Sequence, residues 1–461
     1  MKDTGQINLW DEEGIFAEEE DSIAIFLLDS EKIKNIRQHF DDKDFLIAYE
    51  GKIGHKSVAF IERVSFEFGN VVRIYPKYLV KGYHVEMFTG FDVTGDVVDD
   101  FFSPSRYFFE RAKSNVKSEV DLVYNSEIAD EWEIIFEKQR IIITLSYGDI
   151  LYKGIASDLM LHPKLRVQFP KTTDVQFVYR LYLTITRFFQ IVRYDANFGK
   201  LQIELLHKDE EKISYNGKLI DYSASKQLVL KGLDEVEYVN YRKYIQRFLQ
   251  FSADNTNYSM KHYPEGVLRF WGRDYSPTDY MNLFSAFEGE CRAKKDVYEN
   301  VDATQIQSIK DLSIRILEEI PQNALKDEEK RFLSEAKNRI TQIGTQFGQK
   351  RKIVNAFNVL RYAMNGSLKY ILYRTKYVSE KTWNDGTISS IAQWLVDIRG
   401  AIVHGDSTSS FSDEDAQLIR FFEILIYSQT LKRIGFSDSD IERIIGALFG
   451  CNYVLVQEKY H

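Results

Sequence analysis

The sequence predicts an α+β multidomain protein with a β-rich first half and an all-α second half. Three observations carry the prediction: a length of 461 residues, 32 Phe and 28 Tyr, and a change of hydrophobic periodicity near residue 235. The length is too great for one ordinary core, so we expect two to four domains. We expect a β-rich domain over 1–165, a connecting region of helix plus hairpin over 166–265, and a helical domain over 266–461.

The first half reads mainly as strands. Partly alternating stretches rich in β-branched and aromatic residues, such as KSVAFIERVSFEFG and EWEIIFEKQRIIITL, predict an antiparallel sheet, barrel or sandwich. Residues 172–194 carry apolar side chains at helical spacing for about six turns, which predicts one long helix. Strands resume in KLQIELLH, and Asn216-Gly217 predicts a tight hairpin turn because both residues tolerate positive φ angles.

From about residue 235 the periodicity is helical. The polar loop 252–277 is the best domain boundary. The predicted helices are 235–253, 277–295, 303–319, 327–343, 350–375 with a break near Gly366, 388–404, 413–434 and 437–448.

Composition excludes several classes of protein. A hydrophobic fraction of 44% and a charged fraction of 28% are typical of soluble globular proteins. The acidic start lacks the features of a secretion signal, and no apolar run reaches the roughly 20 residues of a membrane helix, so we expect a cytoplasmic protein without a membrane partner. Cys291 and Cys451 lack CxxC spacing, so we expect two buried apolar fillers rather than a disulfide or a zinc site.

The charge is unevenly distributed. Residues 1–50 hold 14 acidic and 5 basic side chains, which accounts for the whole net charge of −9. Residues 336–379 hold no Asp or Glu and nine Lys or Arg: Lys337, Arg339, Lys350, Arg351, Lys352, Arg361, Lys369, Arg374 and Lys376. Such a segment attracts a polyanion, although a solvated helix surface paired with acids elsewhere gives the same pattern.

The stretch LVDIRGAIVHGD, residues 395–406, places Arg399 five residues before His404 near the end of a predicted helix, which Gly405 stops. Five residues rotate by roughly 140° about a helix axis, so the two side chains do not share a face. They converge if the arginine wraps round, if the last turn loosens, or if two copies of the helix meet in a dimer. The alternative is an exposed arginine and a histidine near the helix C-terminal dipole.

These residues resemble a known family. IRGAIVHGD, in an all-helical second half, resembles the R-x4-6-H motif of HEPN ribonuclease domains, and NLFSAFEGECRAKK, residues 282–295, resembles the helix that opens the Apea-like HEPN branch. The β-rich half is similar to the N-terminal domain of ApeA-type bacterial antiphage proteins, so the resemblance covers essentially the whole chain. Gly400 departs from the pattern, because many members carry a polar residue after the arginine.

The resemblance implies a metal-independent endoribonuclease. RNA supplies its own nucleophile, the 2′-hydroxyl, so no metal and no cofactor are expected. A histidine exchanges protons near neutral pH and an arginine fork matches phosphate, which assigns proton transfer to His404 and phosphate binding to Arg399. The products implied are a 2′,3′-cyclic phosphate and a 5′-hydroxyl. Glu288 is either a third member that orients Arg399 or His404, or an ordinary surface glutamate.

The resemblance also implies partners and regulation. The partners are RNA, with tRNA among the candidates, a second copy of the chain through the HEPN domain, and a phage-derived trigger. The β-rich half would act as a sensor that restrains the nuclease until infection, and its acidic first 50 residues would cover the basic surface. RNA contacts are expected from Lys350, Arg351, Lys352, Arg361, Lys369, Arg374 and Lys376.

Three alternatives stay open. The first is a catalytically inactive HEPN-like module that binds RNA or protein. The second is a metal-dependent nuclease using Glu210-Glu211-Lys212, a triplet common by chance. The third is a structural or ligand-binding protein, supported only by the aromatic-rich sheet. Four histidines of the first half show no ligand spacing: His39, His55, His84 and His162.

Overall fold

A computed structural model describes the chain in separate stretches. They are residues 4–9, 12–29, 31, 33, 36, 46–51, 56–67, 70–82, 87–103, 128–149, 161–195, 201–209, 212–222, 238–254, 275–298, 303–321, 323, 325–342, 348–372, 385–405 and 411–450. The chain forms two compact units. Unit 1 comprises Met1–Thr256 with Tyr263–Val267, and unit 2 comprises Asn257–His262 with Leu268–His461.

Unit 1 is built on one antiparallel sheet. In the described residues its strands are β1 Thr4–Leu9, β2 Glu12–Glu18, β3 Ile23–Leu27, β4 Leu46–Gly51, β5 Lys56–Glu67, β6 Val71–Gly82, β7 Phe88–Thr94, β8 Ile128–Phe136, β9 Gln139–Asp149, β10 Leu161–Thr172, β11 Gln202–Asp209 and β12 Lys212–Asp221. Their order is β3-β2-β1-β4-β5-β6-β12-β11-β7-β10-β9-β8. Because β3 also pairs with β6, the first six strands close into a barrel.

The barrel interior is filled by apolar side chains, which point inward at every second position of each strand. Phe16, Ile25, Val72 and Ile74 are among those almost completely buried. Two of the acidic N-terminal residues form ion pairs within the barrel: Glu18 pairs with Lys81 at 2.7 Å, and Glu19 pairs with Arg73. The described part of the first 50 residues therefore contributes strands to the barrel as well as charge.

Unit 1 also contains helices α1 Asp96–Phe101, α2 Val175–Arg193, α3 Tyr238–Tyr241 and α4 Ile245–Asp254; α1 contacts β7 and β10, and α4 contacts β8 and α2. The Asp174 carboxylate begins α2 by accepting hydrogen bonds from the backbone of Gln176 and Phe177, at 2.8 and 3.1 Å. Aromatic rings fill the space between these elements; the Phe101 ring, for example, lies 5.8 Å from that of Phe188. Many of the aromatic residues of the first half therefore serve packing.

The predicted turn at Asn216-Gly217 is wrong. Both residues lie inside β12, at a register shift opposite Leu205 and Leu206. Gly217 is required for close approach rather than for a positive φ, because a Cβ there would lie 2.3 Å from the Lys81 carbonyl oxygen of β6.

Unit 2 is helical in its described part. Its helices are α5 Pro277–Ala293, α6 Lys295–Tyr298, α7 Ala303–Glu318, α8 Asp327–Gln342, α9 Gln349–Val359, α10 Asn365–Leu372, α11 Asp385–His404, α12 Asp413–Ile434 and α13 Asp438–Leu448. Helix α12 is the central helix, because it contacts α5, α9, α10, α11 and α13 and is buried on all sides from Leu418 to Leu431. Ser412 and Asp415 form a capping box at its start, and Gly435 ends it in the left-handed conformation.

The predicted α+β class is confirmed, and the break near Gly366 corresponds to the turn between α9 and α10. The predicted division at 165/166 needs correction, because β10 runs through it and α2, β11 and β12 belong to unit 1. The helix and hairpin of 166–265 share the sheet and core of the first unit, so they are not a separate connecting region. Within the described ranges, no helix has the length and apolar composition needed to cross a membrane.

Candidate functional site

Helices α5, α9 and α11 of unit 2 bring the candidate residues together. Helix α11 contacts both α5 and α9. The buried Tyr280 of α5 donates a hydrogen bond from its hydroxyl to the Leu395 carbonyl oxygen, one turn before Arg399. Burial raises the pKa of Tyr280, with the Arg399 guanidinium opposing the rise, so the hydroxyl stays a donor. This bond fixes α5 against the turn of α11 that precedes Arg399.

The Arg399 guanidinium is held between a carboxylate and a ring. Its Nη2 lies 3.6 Å from Glu288 Oε1, and its Cζ lies 5.0 Å above the centre of the Phe284 ring. Phe284 and Glu288 are four residues apart in α5, so both project from one face of that helix. The Arg399 side chain is 35% exposed. The guanidinium is thus oriented from two sides and still accessible to an anion.

Gln349, which the sequence-based prediction missed, joins this cluster. Its Nε2 donates a 2.6 Å hydrogen bond to Glu288 Oε1, the oxygen that faces Arg399. Arg399 Nε and Gln349 Oε1 are buried and have no hydrogen-bond partner among the described residues. The only sequence signal for Gln349 is its position directly before Lys350, because side-chain contacts between distant helices leave no periodic pattern.

His404 is the last residue of α11 and is exposed. Gly405, with φ 78°, ends the helix, and its backbone N–H donates to the Ile402 carbonyl oxygen at 3.3 Å. Arg399 and His404 do not form a hydrogen bond, and no described residue bonds to the imidazole. The structure therefore brings Arg399 to Glu288 and leaves His404 open to solvent. The neighbouring apolar side chain, Val403, is also exposed.

The residues that flank Arg399 and His404 in the sequence make few contacts in the described part of the chain. Asp397 is exposed and accepts a 2.8 Å hydrogen bond from Gln393, while Asp406 lies outside the described residues. At Gly400, a Cβ would meet nothing within 4 Å. Packing therefore does not require the glycine that departs from the family pattern.

Positive charge is concentrated at the start of α9. Lys350 and Lys352 are partly buried and Arg351 is exposed, all in the first turn after Gly348, which provides no side-chain cap. The first turn of a helix ordinarily favours acidic residues, because its free N–H groups carry partial positive charge. Three cations there raise the potential further, in a helix that packs directly against α11. The arrangement is favourable for binding an anion beside Arg399.

The remaining predicted basic contacts are less clustered. Arg361 is exposed in the turn after α9, and Lys337 pairs with Glu318 at 3.7 Å. The Lys369 side chain and all of Arg374 and Lys376 lie outside the described residues.

Two residues beyond Glu288, the Glu290 side chain points into the core. It is 1% exposed, and its Oε1 lies 3.2 Å from Arg433 Nη2. Burial raises the pKa of Glu290 to about 7, against the opposing effect of Arg433. The adjacent Cys291 is buried, as predicted, and its Sγ accepts from Gln429 at 3.8 Å. Glu290 is thus a core group, separate from the partly exposed cluster around Arg399.

Among the residues that the structure describes, no three His, Cys, Asp or Glu side chains lie together as metal ligands. His162 contacts Asp99 at 3.2 Å. His39, His55, His84, Glu210, Glu211 and Cys451 lie outside the described stretches.

None of the protein-family models, curated proteins or solved structures compared with this chain matches it. Function is therefore inferred from the geometry of the cluster itself: an oriented, accessible guanidinium on α11, a basic start of α9 beside it, and an exposed imidazole at the end of α11.

Proposed function

We propose that unit 2 is a metal-independent endoribonuclease in which Arg399 binds the scissile phosphate and His404 transfers a proton. The observation that carries the proposal is the Arg399 guanidinium, which Glu288 and Phe284 hold in place while one side stays accessible. Preorganised positive charge of this kind stabilises the charge that grows on phosphate oxygens during cleavage.

The reaction needs phosphate binding, which Arg399 supplies, and proton transfer, which His404 supplies. Either His404 takes the proton of the 2′-hydroxyl as that oxygen attacks the adjacent phosphorus and water gives a proton to the departing 5′-oxygen, or His404 gives the proton to the 5′-oxygen and water takes the 2′-proton. Bond formation and bond breakage then leave a 2′,3′-cyclic phosphate and a 5′-hydroxyl. Proton transfer by a positioned histidine contributes on the order of 10² to 10⁴ in rate. In this scheme the basic first turn of α9 guides the RNA backbone toward Arg399.

The proposal includes a second copy of the chain. Arg399 and His404 are roughly 140° apart around α11 and form no hydrogen bond with each other. A site that takes its arginine from one copy and its histidine from the other satisfies both observations, and the exposed Val403 and His404 leave the end of α11 available for that contact.

Cleavage of a defined RNA in the presence of a chelator tests the chemistry. We expect the full-length chain to cut, to leave cyclic phosphate ends, and to spare an RNA whose scissile nucleotide carries 2′-deoxyribose. Arg399→Ala and His404→Ala should each lose at least about 100-fold in rate. Arg331→Ala, a change at an exposed arginine of α8, is the matched control and should cut normally. Cleavage of the 2′-deoxy substrate, or cleavage that requires a divalent metal, would refute the mechanism.

In the cell, we propose that this activity serves antiphage defence and that unit 1 restrains it until a phage-derived signal arrives. The support is the charge contrast between the acidic N-terminal strands and the basic segment 336–379.

Deletion of the first 50 residues is a poor test of this restraint, because it removes barrel strands. Neutralising exposed acids by Glu13→Gln, Asp21→Asn and Glu31→Gln keeps the barrel and should raise RNA cleavage at low salt; unchanged cleavage argues against this form of restraint.

A second candidate function is an inactive RNA- or protein-binding module. The observation in its favour is that His404 has no hydrogen-bond partner among the described residues. A binding module would retain its affinity for RNA in His404→Ala and lose it in Arg399→Ala, without cleavage by either variant or by the wild type.

A further inference from the structure

Helices α7 and α8 of unit 2 form a hairpin that presents large apolar side chains to solvent. Ile309, Leu312 and Ile316 of α7 are 55 to 60% exposed, and Phe332 of α8 is 74% exposed. The three α7 residues are spaced three and four apart, so they form a continuous stripe on one helix face. Scattered exposed apolar residues are ordinary, but four on one hairpin mark an interaction surface.

The exposed residues of the two helices belong to one surface. Ile320 follows Ile316 by one turn, and together with Phe332 and Leu333 it lines an open cavity of about 460 Å³ at the loop end of the hairpin. The apolar stripe of α7 therefore continues into a hollow beside the Phe332 ring. We call Ile309, Leu312, Ile316 and Phe332 with this hollow the hairpin face.

Polar contacts hold the hairpin together without covering the hairpin face. The Lys310 ammonium group donates to the Thr341 carbonyl oxygen at 2.8 Å, and Lys337 pairs with Glu318 at 3.7 Å. These bonds join the inner sides of α7 and α8. The hairpin face is therefore left open to solvent.

The charges on the hairpin suit a copy of itself. Residues 303–342 hold seven acidic and seven basic side chains, so two hairpins do not repel each other through net charge. Along α8, Glu328, Phe332 and Arg339 lie on one face, at intervals of four and seven residues. The acidic end is next to the loop and the basic end is next to α9. In an antiparallel pair, Glu328 of each copy comes opposite Arg339 of the other, on either side of the central phenylalanines.

We propose that the hairpin face binds the same face of a second copy through a two-fold axis. Isologous contacts are the commonest way in which soluble chains form dimers, and this surface has both requirements: an apolar centre and ends of opposite charge that become complementary when one copy is turned round. The inference concerns α7 and α8 rather than α11, and it does not depend on ribonuclease activity.

Sedimentation across the micromolar range tests the proposal. Every chain compared carries Val403→Lys, which places a charge at the exposed end of α11 and removes the contact between copies proposed there. With no further change, this chain should sediment as a dimer. Addition of Leu312→Asp/Ile316→Asp should give a monomer with an unchanged circular dichroism spectrum, because both side chains are exposed in the free chain. Tyr362→Asp, at an exposed aromatic residue outside the hairpin, is the control and should remain dimeric. A monomeric Val403→Lys chain, or a dimer that survives the double substitution, would overturn the proposal.

A charge exchange identifies the partner as a second copy. In the same Val403→Lys chain, Glu328→Lys and Arg339→Glu each place like charges together at both ends of the pair, so each variant alone should dissociate at least about tenfold more readily than its parent. When the two variants are mixed, every opposing pair is again of opposite charge, and the dimer should return. If mixing restores nothing, the antiparallel pairing is wrong.

Discussion

At the scale of single residues, the Glu288 carboxylate lies 3.6 Å from the Arg399 guanidinium and orients it. Arg399, His404 and Glu288 follow from a motif and a resemblance in the sequence. Gln349 and Glu290 could not be predicted, because their roles depend on which faces of α5, α9 and α12 meet. Hydrogen bonds between side chains far apart in sequence leave no local pattern.

Removing the charge of Glu288 tests whether it positions Arg399. Glu288→Gln keeps the size of the side chain and the possibility of a hydrogen bond to Gln349, but it loses the attraction for the guanidinium. We expect a fall of roughly tenfold in single-turnover cleavage with little change in stability, since that factor corresponds to about 1.4 kcal/mol at the transition state. Asp397→Asn, an exposed change on α11, should leave the rate unaltered. Equal rates for Glu288→Gln and the wild type would remove Glu288 from the site.

Glu290 predicts a pH dependence of stability. Burial in the folded chain raises the pKa of its carboxyl from an ordinary value of 4.5 to about 7, so the unfolded chain releases this proton first as the pH rises. The group therefore lowers the free energy of unfolding progressively as the pH rises through this interval, by on the order of 3 kcal/mol in total. Urea unfolding at several pH values should show Glu290→Gln gaining stability relative to the wild type over this range. Parallel pH profiles would contradict the assignment.

At the scale of helices and strands, local signals predict boundaries well where caps and periodicity agree. The predicted limits of α12, 413–434, match the observed helix because Ser412 and Gly435 mark its ends chemically. The predicted turn at Asn216-Gly217 is wrong because Gly217 is needed for the close approach of a neighbouring strand, Val71–Gly82, and not for a positive φ angle of its own. Sequence patterns report local conformation; they do not report close approach between strands.

Two glycines near the end of α11 should respond oppositely to alanine. Gly400 lies in the helix with open space around it, so Gly400→Ala should raise the free energy of unfolding by about 0.5 to 1 kcal/mol. Gly405 has a φ of 78°, so Gly405→Ala should lower it by about 1 kcal/mol or more. Chemical denaturation of each variant and of the wild type measures these two changes in the free energy of unfolding. A loss of stability in Gly400→Ala would show that this position needs glycine for a reason other than backbone conformation.

At the scale of the whole molecule, the class of fold was predictable and the topology was not. A β-rich half followed by a helical half follows from periodicity alone. Closure of the barrel depends on β3 pairing with β6, and the sheet order places β12 beside β6; both pairings join segments far apart in sequence. The same limitation explains why the predicted boundary at 165/166 fell inside β10.

The most direct test of the shared site mixes two inactive variants. Arg399→Ala and His404→Ala, purified separately, should each fail to cleave RNA in the presence of a chelator. Once subunits have exchanged, half of the dimers carry one copy of each variant, and one of the two shared sites in each keeps both groups. The mixture should therefore recover about a quarter of the wild-type rate. Wild-type cleavage by either variant alone would contradict the assignment of the two residues, and no recovery on mixing would contradict a site shared between copies.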